Sequence, residues 1–63
     1  MTNFEKYFNT PFDCAKSFLG ENDCFHEYAD WKQENFETVL AMKSVGFTMT
    51  EIMECWLKEE CKQ

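Results

Sequence analysis

The sequence predicts an all-α fold: a small bundle of about four helices making one compact domain over residues 1–63. Three observations carry that expectation. Apolar residues recur at i, i+3 and i+4 through each segment. Two Thr-x-x-Glu spacings stand at helix starts, as a capping box requires. Proline occurs once and glycine twice, where a first helical turn and two helix stops would use them.

The first helix opens at Thr2-Asn3-Phe4-Glu5, with Thr2 capping and Glu5 reaching back. Phe4, Tyr7 and Phe8 follow at helical spacing, which carries the helix to about Asn9. Thr10-Pro11-Phe12-Asp13 starts a second short helix: Thr10 caps, Pro11 suits the first position, and Asp13 faces the positive dipole end. Phe12, Ala15, Phe18 and Leu19 form its apolar face, and Gly20 is the expected left-handed stop. Asn22 or Asp23 then caps the next helix.

Residues 23–45 contain neither Pro nor Gly and are expected to form one long central helix of about 34 Å. On a wheel of about 100° per residue, Cys24, Phe25, Tyr28, Ala29, Trp31, Phe36, Val39, Leu40 and Met42 share one half. Asp30 and Gln33 also have capping-box spacing, but the apolar face runs through Asp30 in phase, which favours continuity. Gly46 ends this helix. Thr48-Met49-Thr50-Glu51 opens a last helix to about Cys61, closing a helical hairpin with Met49, Ile52, Met53, Trp56 and Leu57 turned inward. The polar tail from Lys58 to Gln63 is expected to fray.

Composition limits the functions available. A chain this short buries only about 60% of its unfolded surface, so it depends on large side chains. Seven Phe, two Trp, two Tyr and four Met supply them. Twelve carboxylates oppose six Lys and no Arg, a formal charge of −6. That argues against direct binding of nucleic acid or an anionic membrane and in favour of a basic protein partner. No stretch approaches the roughly 18 apolar residues of a membrane span, and no signal-peptide core is evident. A soluble protein of the cytoplasm, with reduced thiols, is the expectation.

Four cysteines and one histidine raise zinc. Their order is Cys14, Cys24-Phe25-His26, Cys55 and Cys61, without the C-x-x-C or H-x-x-x-H pairs that present ligands together. Residues two apart on a helix diverge by about 200°, which separates Cys24 from His26. The same divergence defeats a Cys–His nucleophilic pair. Free, partly buried thiols, no metal, no cofactor and no catalytic residue are therefore expected.

Two resemblances follow from particular residues. Met42-Lys43-Ser44-Val45-Gly46-Phe47-Thr48-Met49-Thr50-Glu51-Ile52 resembles the turn of helix-turn-helix modules in MerR-type regulators. A DNA-reading helix would carry basic and amide groups, whereas this one carries Glu51, Glu54, Glu59 and Glu60, so the turn reads as structural. Asn3-Phe4-Glu5-Lys6 near the start and Trp56-Leu57-Lys58-Glu59-Glu60 near the close resemble the ends of short cysteine-bearing proteins encoded by phages and prophages of Gram-positive bacteria. That resemblance implies a phage setting in a host cell and transfers no site residue.

The candidate partner-binding residues are Asp23, Glu27, Asp30, Glu34 and Glu37. At steps of four, three, four and three they form an acidic stripe within an arc of roughly 80°. A polar face kept only for solubility usually mixes signs, and like charges at these spacings weaken a helix by a few tenths of a kcal/mol per pair. A one-sign row at about 5–6 Å crudely resembles a phosphate backbone and suits a groove built for nucleic acid. The sequence thus points to a non-catalytic acidic inhibitor of phage type. It would bind the basic, nucleic-acid-binding surface of a host protein, a defence nuclease above all, in the manner of anti-CRISPR, anti-restriction or DNA-mimic proteins. Two alternatives stand beside it. One is an interaction module docking through exposed aromatics such as Phe4, Tyr7, Phe12 and Phe18; the other is a small zinc-stabilised domain.

Overall fold

The computed structural model describes residues 1–61 and is all-helical, with five helices among them. They are α1 (Asn3–Phe8), α2 (Pro11–Phe18), α3 (Cys24–Glu34), α4 (Phe36–Ser44) and α5 (Met49–Lys58). Among the described residues no helix is long and apolar enough to cross a membrane.

The local signals act as their chemistry requires. Thr2 and Thr48 each accept from the backbone N–H three residues on, while Glu5 and Glu51 accept from the cap backbone, completing two capping boxes. Thr10 caps α2 through Asp13 N–H at 3.1 Å. Gly20 and Gly46 take positive φ, 74° and 100°. Around each, the two carbonyl bonds of a Schellman stop are present: Glu21 N–H to Lys16 O at 2.8 Å with Gly20 N–H to Ser17 O at 3.3 Å, and Phe47 N–H to Met42 O at 3.0 Å with Gly46 N–H to Lys43 O at 3.1 Å.

The long central helix expected over residues 23–45 is divided at Asn35. Its backbone, φ −115° and ψ 34°, leaves the helical basin. Its side-chain Nδ2 and its backbone N–H both donate to the Trp31 carbonyl at 2.9 Å. A short amide that bonds the preceding turn competes with continuation of the helix. The helix does run unbroken through Asp30. The hairpin consequently closes across the break, with α5 packed chiefly on α3 and α1 and meeting α4 through the core around Val39.

The core is centred on Trp56, whose ring lies 6.0 Å from Tyr7 and 5.4 Å from Tyr28. Cys24, Trp31, Val39 and Ile52 complete it. Two expected inward faces are instead turned to solvent. On α2, Phe12, Phe18 and Leu19 are 71%, 85% and 70% exposed, while the polar Ser17 is fully buried. Ser17 Oγ donates to Tyr7 O at 2.7 Å and accepts from Asn22 Nδ2 at 2.8 Å, so hydrogen bonds rather than apolar burial orient this helix. On the second half of the divided helix, Phe36 and Leu40 are 63% and 52% exposed, and on α3 Phe25 is half exposed. Tyr7, expected among the docking aromatics, is buried.

The tail holds rather than frays over its described part. Asn3 N–H donates to Glu59 O at 2.9 Å and Cys61 N–H to Met1 O at 2.9 Å, with Thr2 and Glu60 paired as an isolated antiparallel bridge. Residues 62 and 63 lie outside the described residues. The uncovered faces leave their mark on overall size. The radius of gyration is 12.1 Å, against about 10.6 Å for a compact chain of this length.

Candidate functional site: an acidic cleft

The clasp between the chain's two ends builds a cleft of about 390 Å³ against α3. One wall is the outward face of α3, where Asp23, His26, Glu27, Asp30 and Glu34 recur at helical spacing. The opposite wall is Glu59 and Glu60, carried there by their backbone bonds to Met1–Asn3. Trp31, Trp56 and Asn3 form the floor. Asn3 is buried and held by its Nδ2, which donates to Trp56 O at 2.8 Å.

Four of the five sequence-predicted residues are therefore brought together: Asp23, Glu27, Asp30 and Glu34. Glu37 lies beyond the Asn35 break, on α4, and does not line the cleft. Glu59 and Glu60 complete the set although periodicity gave no reason to include them. Their arrival depends on a pairing between residues nearly sixty positions apart.

Some of this charge is answered locally. Lys6 Nζ lies 3.8 Å from Glu27 Oε1, and the N-terminal ammonium lies 3.6 Å from Glu60 Oε1. His26 Nε2 stands 4.0 Å from Asp30 Oδ2, a contact that becomes an ion pair when the imidazole is protonated. The ammonium–Glu60 and His26–Asp30 contacts are exposed and therefore screened and weak, while Lys6 and Glu27 are partly buried. The cleft retains a surplus of carboxylates, and a cation approaching it meets acceptors from two walls over an indole floor. Carboxylates so placed can accept hydrogen bonds from ammonium or guanidinium groups.

The cysteines take no part in it. Cys24 is fully buried, where desolvation pushes its thiol pKa up. His26, two residues on, points to solvent, as the helical divergence predicts. All four cysteines are unbridged. Among the described residues no group of three or more Cys, His, Asp or Glu side chains is arranged to hold a metal ion. No family model matches the chain, and neither the curated proteins nor the solved structures provide a match.

Proposed function

We propose that this chain is a non-catalytic binding protein that presents its acidic cleft to a basic surface of another protein. One observation supports the reading above the others: carboxylates from two separate parts of the chain, α3 and residues 59–60, converge on one concavity. A polar face serving only solubility needs no second wall. In the form the sequence suggests, the partner is a host protein whose basic surface normally holds nucleic acid, and the chain inhibits it by occupying that surface. The one-sign row on α3 supports this, since each carboxylate can replace a phosphate contact.

A lysine-rich peptide is a direct probe. The chain's two tryptophans both line the cleft, so their emission reports its occupancy. Binding should shift the emission at low salt and weaken steeply toward physiological ionic strength, where screening acts over about 8 Å. Asp30→Lys with Glu34→Lys should abolish it. Glu54→Lys with Glu37→Lys, which changes net charge equally but lies outside the cleft, should leave most of it. Equal loss in the two variants would show that only net charge matters and would end the cleft reading.

A second reading is favoured by α2. Its apolar face, Phe12, Ala15 and Leu19 at i, i+3 and i+7, has the anchor spacing of a helix that docks into a partner's apolar groove. That reading predicts a partner whose binding ignores salt and fails when Phe12 and Leu19 are truncated.

A further inference from the structure

On the side of α3 away from the acidic cleft, a second concavity of about 350 Å³ runs between α3 and α4. Ala29, Phe36, Val39 and Leu40 form its floor, and Lys32 and Lys43 stand at its rim. None of the chain's twelve carboxylates lines it. The helix beside it is also anomalous. Phe36, Val39, Leu40, Ala41 and Met42 make α4 apolar around most of its circumference, the pattern of a buried helix, yet only Val39 is buried.

We infer that α4 is a self-association face, on which two copies of the chain pack α4 antiparallel across a twofold axis between Val39 and Leu40. Three lines of argument select a second copy as the occupant. The first is charge. A chain at −6 repels its own copy, and a concavity bearing two lysines and no carboxylate is where that repulsion is least.

The second is register. In an antiparallel pair about that axis, residues whose numbers sum to 79 face one another. Phe36 of each copy then meets Lys43 of the other, twice, as an isologous interface demands. This chain already seats lysines over rings: Lys6 over Tyr7 at 4.9 Å, Lys16 over Phe12 at 5.5 Å and Lys32 over Tyr28 at 4.6 Å. Lys43 and Phe36 have no such partner among the described residues, and each supplies what the other lacks. Ser44 beside them already spends its hydroxyl on Leu40 O at 3.0 Å, so covering it strands no donor.

The third is area. The accessible surface is 4731 Å², against about 4,300 Å² for a compact monomer of this mass. That surplus is shared with the bare α2 face; with a Phe side chain at about 200 Å² and the lysine stems added, the α4 face would bury roughly 400 Å² per copy. A pair of about 800 Å² falls below the range of stable complexes, so the dimer is weak and exchanging.

Sedimentation equilibrium from 10 µM to 1 mM should show the average mass rising from 7.6 kDa toward twice that value. Leu40→Glu, with an unchanged helical spectrum, should remain monomeric throughout. An isotope-filtered NOE experiment on mixed labelled and unlabelled wild-type chains should give intermolecular contacts between the Phe36 ring and the Lys43 side chain. A wild-type monomer at 1 mM would overturn the inference. So would a dimer that survives Leu40→Glu, or intermolecular contacts from Phe12 and Phe18 in place of Phe36. None of these residues lines the acidic cleft, so failure here leaves the cleft reading standing.

Discussion

Helices α3 and α4 are consecutive pieces of one apolar run, separated by a single residue, and they meet opposite fates. Most of the apolar side of α3 is covered: Cys24 and Trp31 are buried and the Tyr28 ring sits tilted against Trp56, with Phe25 left half exposed and the charge facing outward. On α4 only Val39 is buried, and Phe36 and Leu40 face solvent. Their patterns differ, since α3 keeps a charged face while α4 is apolar around most of its circumference. What also differs is how much each half packs against: α5 folds back on α3, while α4 reaches the core through Val39, with Met42 packed beside it. Amphipathicity states which residues want cover; topology decides which receive it.

The largest expected effect sharpens that contrast. Trp31→Ala empties a buried site and should cost about 3–5 kcal/mol, most of the few kcal/mol available to a chain this short. Leu40→Ala, on the bare helix, should cost about 1 kcal/mol, because half of the side chain is already in water. Urea unfolding of the two variants measures both. Comparable costs would mean that α4 is covered after all.

A middle-sized effect concerns the hinge. Asn35→Ala removes the side-chain bond to Trp31 O and installs the best helix former at the break. The two changes oppose each other, so stability should move by less than about 1 kcal/mol while amide exchange at residues 35–38 slows as helix spreads across the junction. Unchanged exchange would mean that packing, and not Asn35, divides the run.

The smallest effect lies at the capping boxes, whose chemistry is the same at both ends of the fold. Glu5 and Glu51 are held below their ordinary carboxylate value of 4.5 by the hydrogen bonds they accept from the cap residue, its backbone first and its hydroxyl second. A depressed folded pKa contributes stability that is present above the unfolded value and lost as pH falls through the folded one. Glu51→Ala should therefore lower Tm slightly at pH 7, and its deficit against the wild type should shrink as pH is taken below 4.5. A deficit independent of pH would remove the charged cap from the account.

These comparisons also show what the sequence makes legible. Features settled within four residues read correctly: both capping boxes, Pro11 at a helix start, and Gly20 and Gly46 in left-handed stops. Features that depend on distant partners did not. The inverted face of α2 follows from Ser17 reaching the Tyr7 carbonyl, a bond that no apolar spacing reveals. Glu59 and Glu60 join the cleft only because the two ends of the chain pair. The Asn35 break left a fainter trace, since a short amide inside an apolar run is a poor helix former, and the in-phase stripe masked it. Four of the five stripe residues share one wall because all four precede that break.

The central claim is that function divides where the helix does, with α3 and the clasped ends binding cations and α4 taking no part in that binding. The most direct test is an amide chemical-shift titration of the chain, kept dilute, with a lysine-rich peptide at low salt. The account predicts shifts confined to Asp23–Glu34, Asn3 and Glu59–Glu60, with Phe36–Ser44 silent. Shifts spread evenly over every acidic residue, or concentrated on α4, would contradict it.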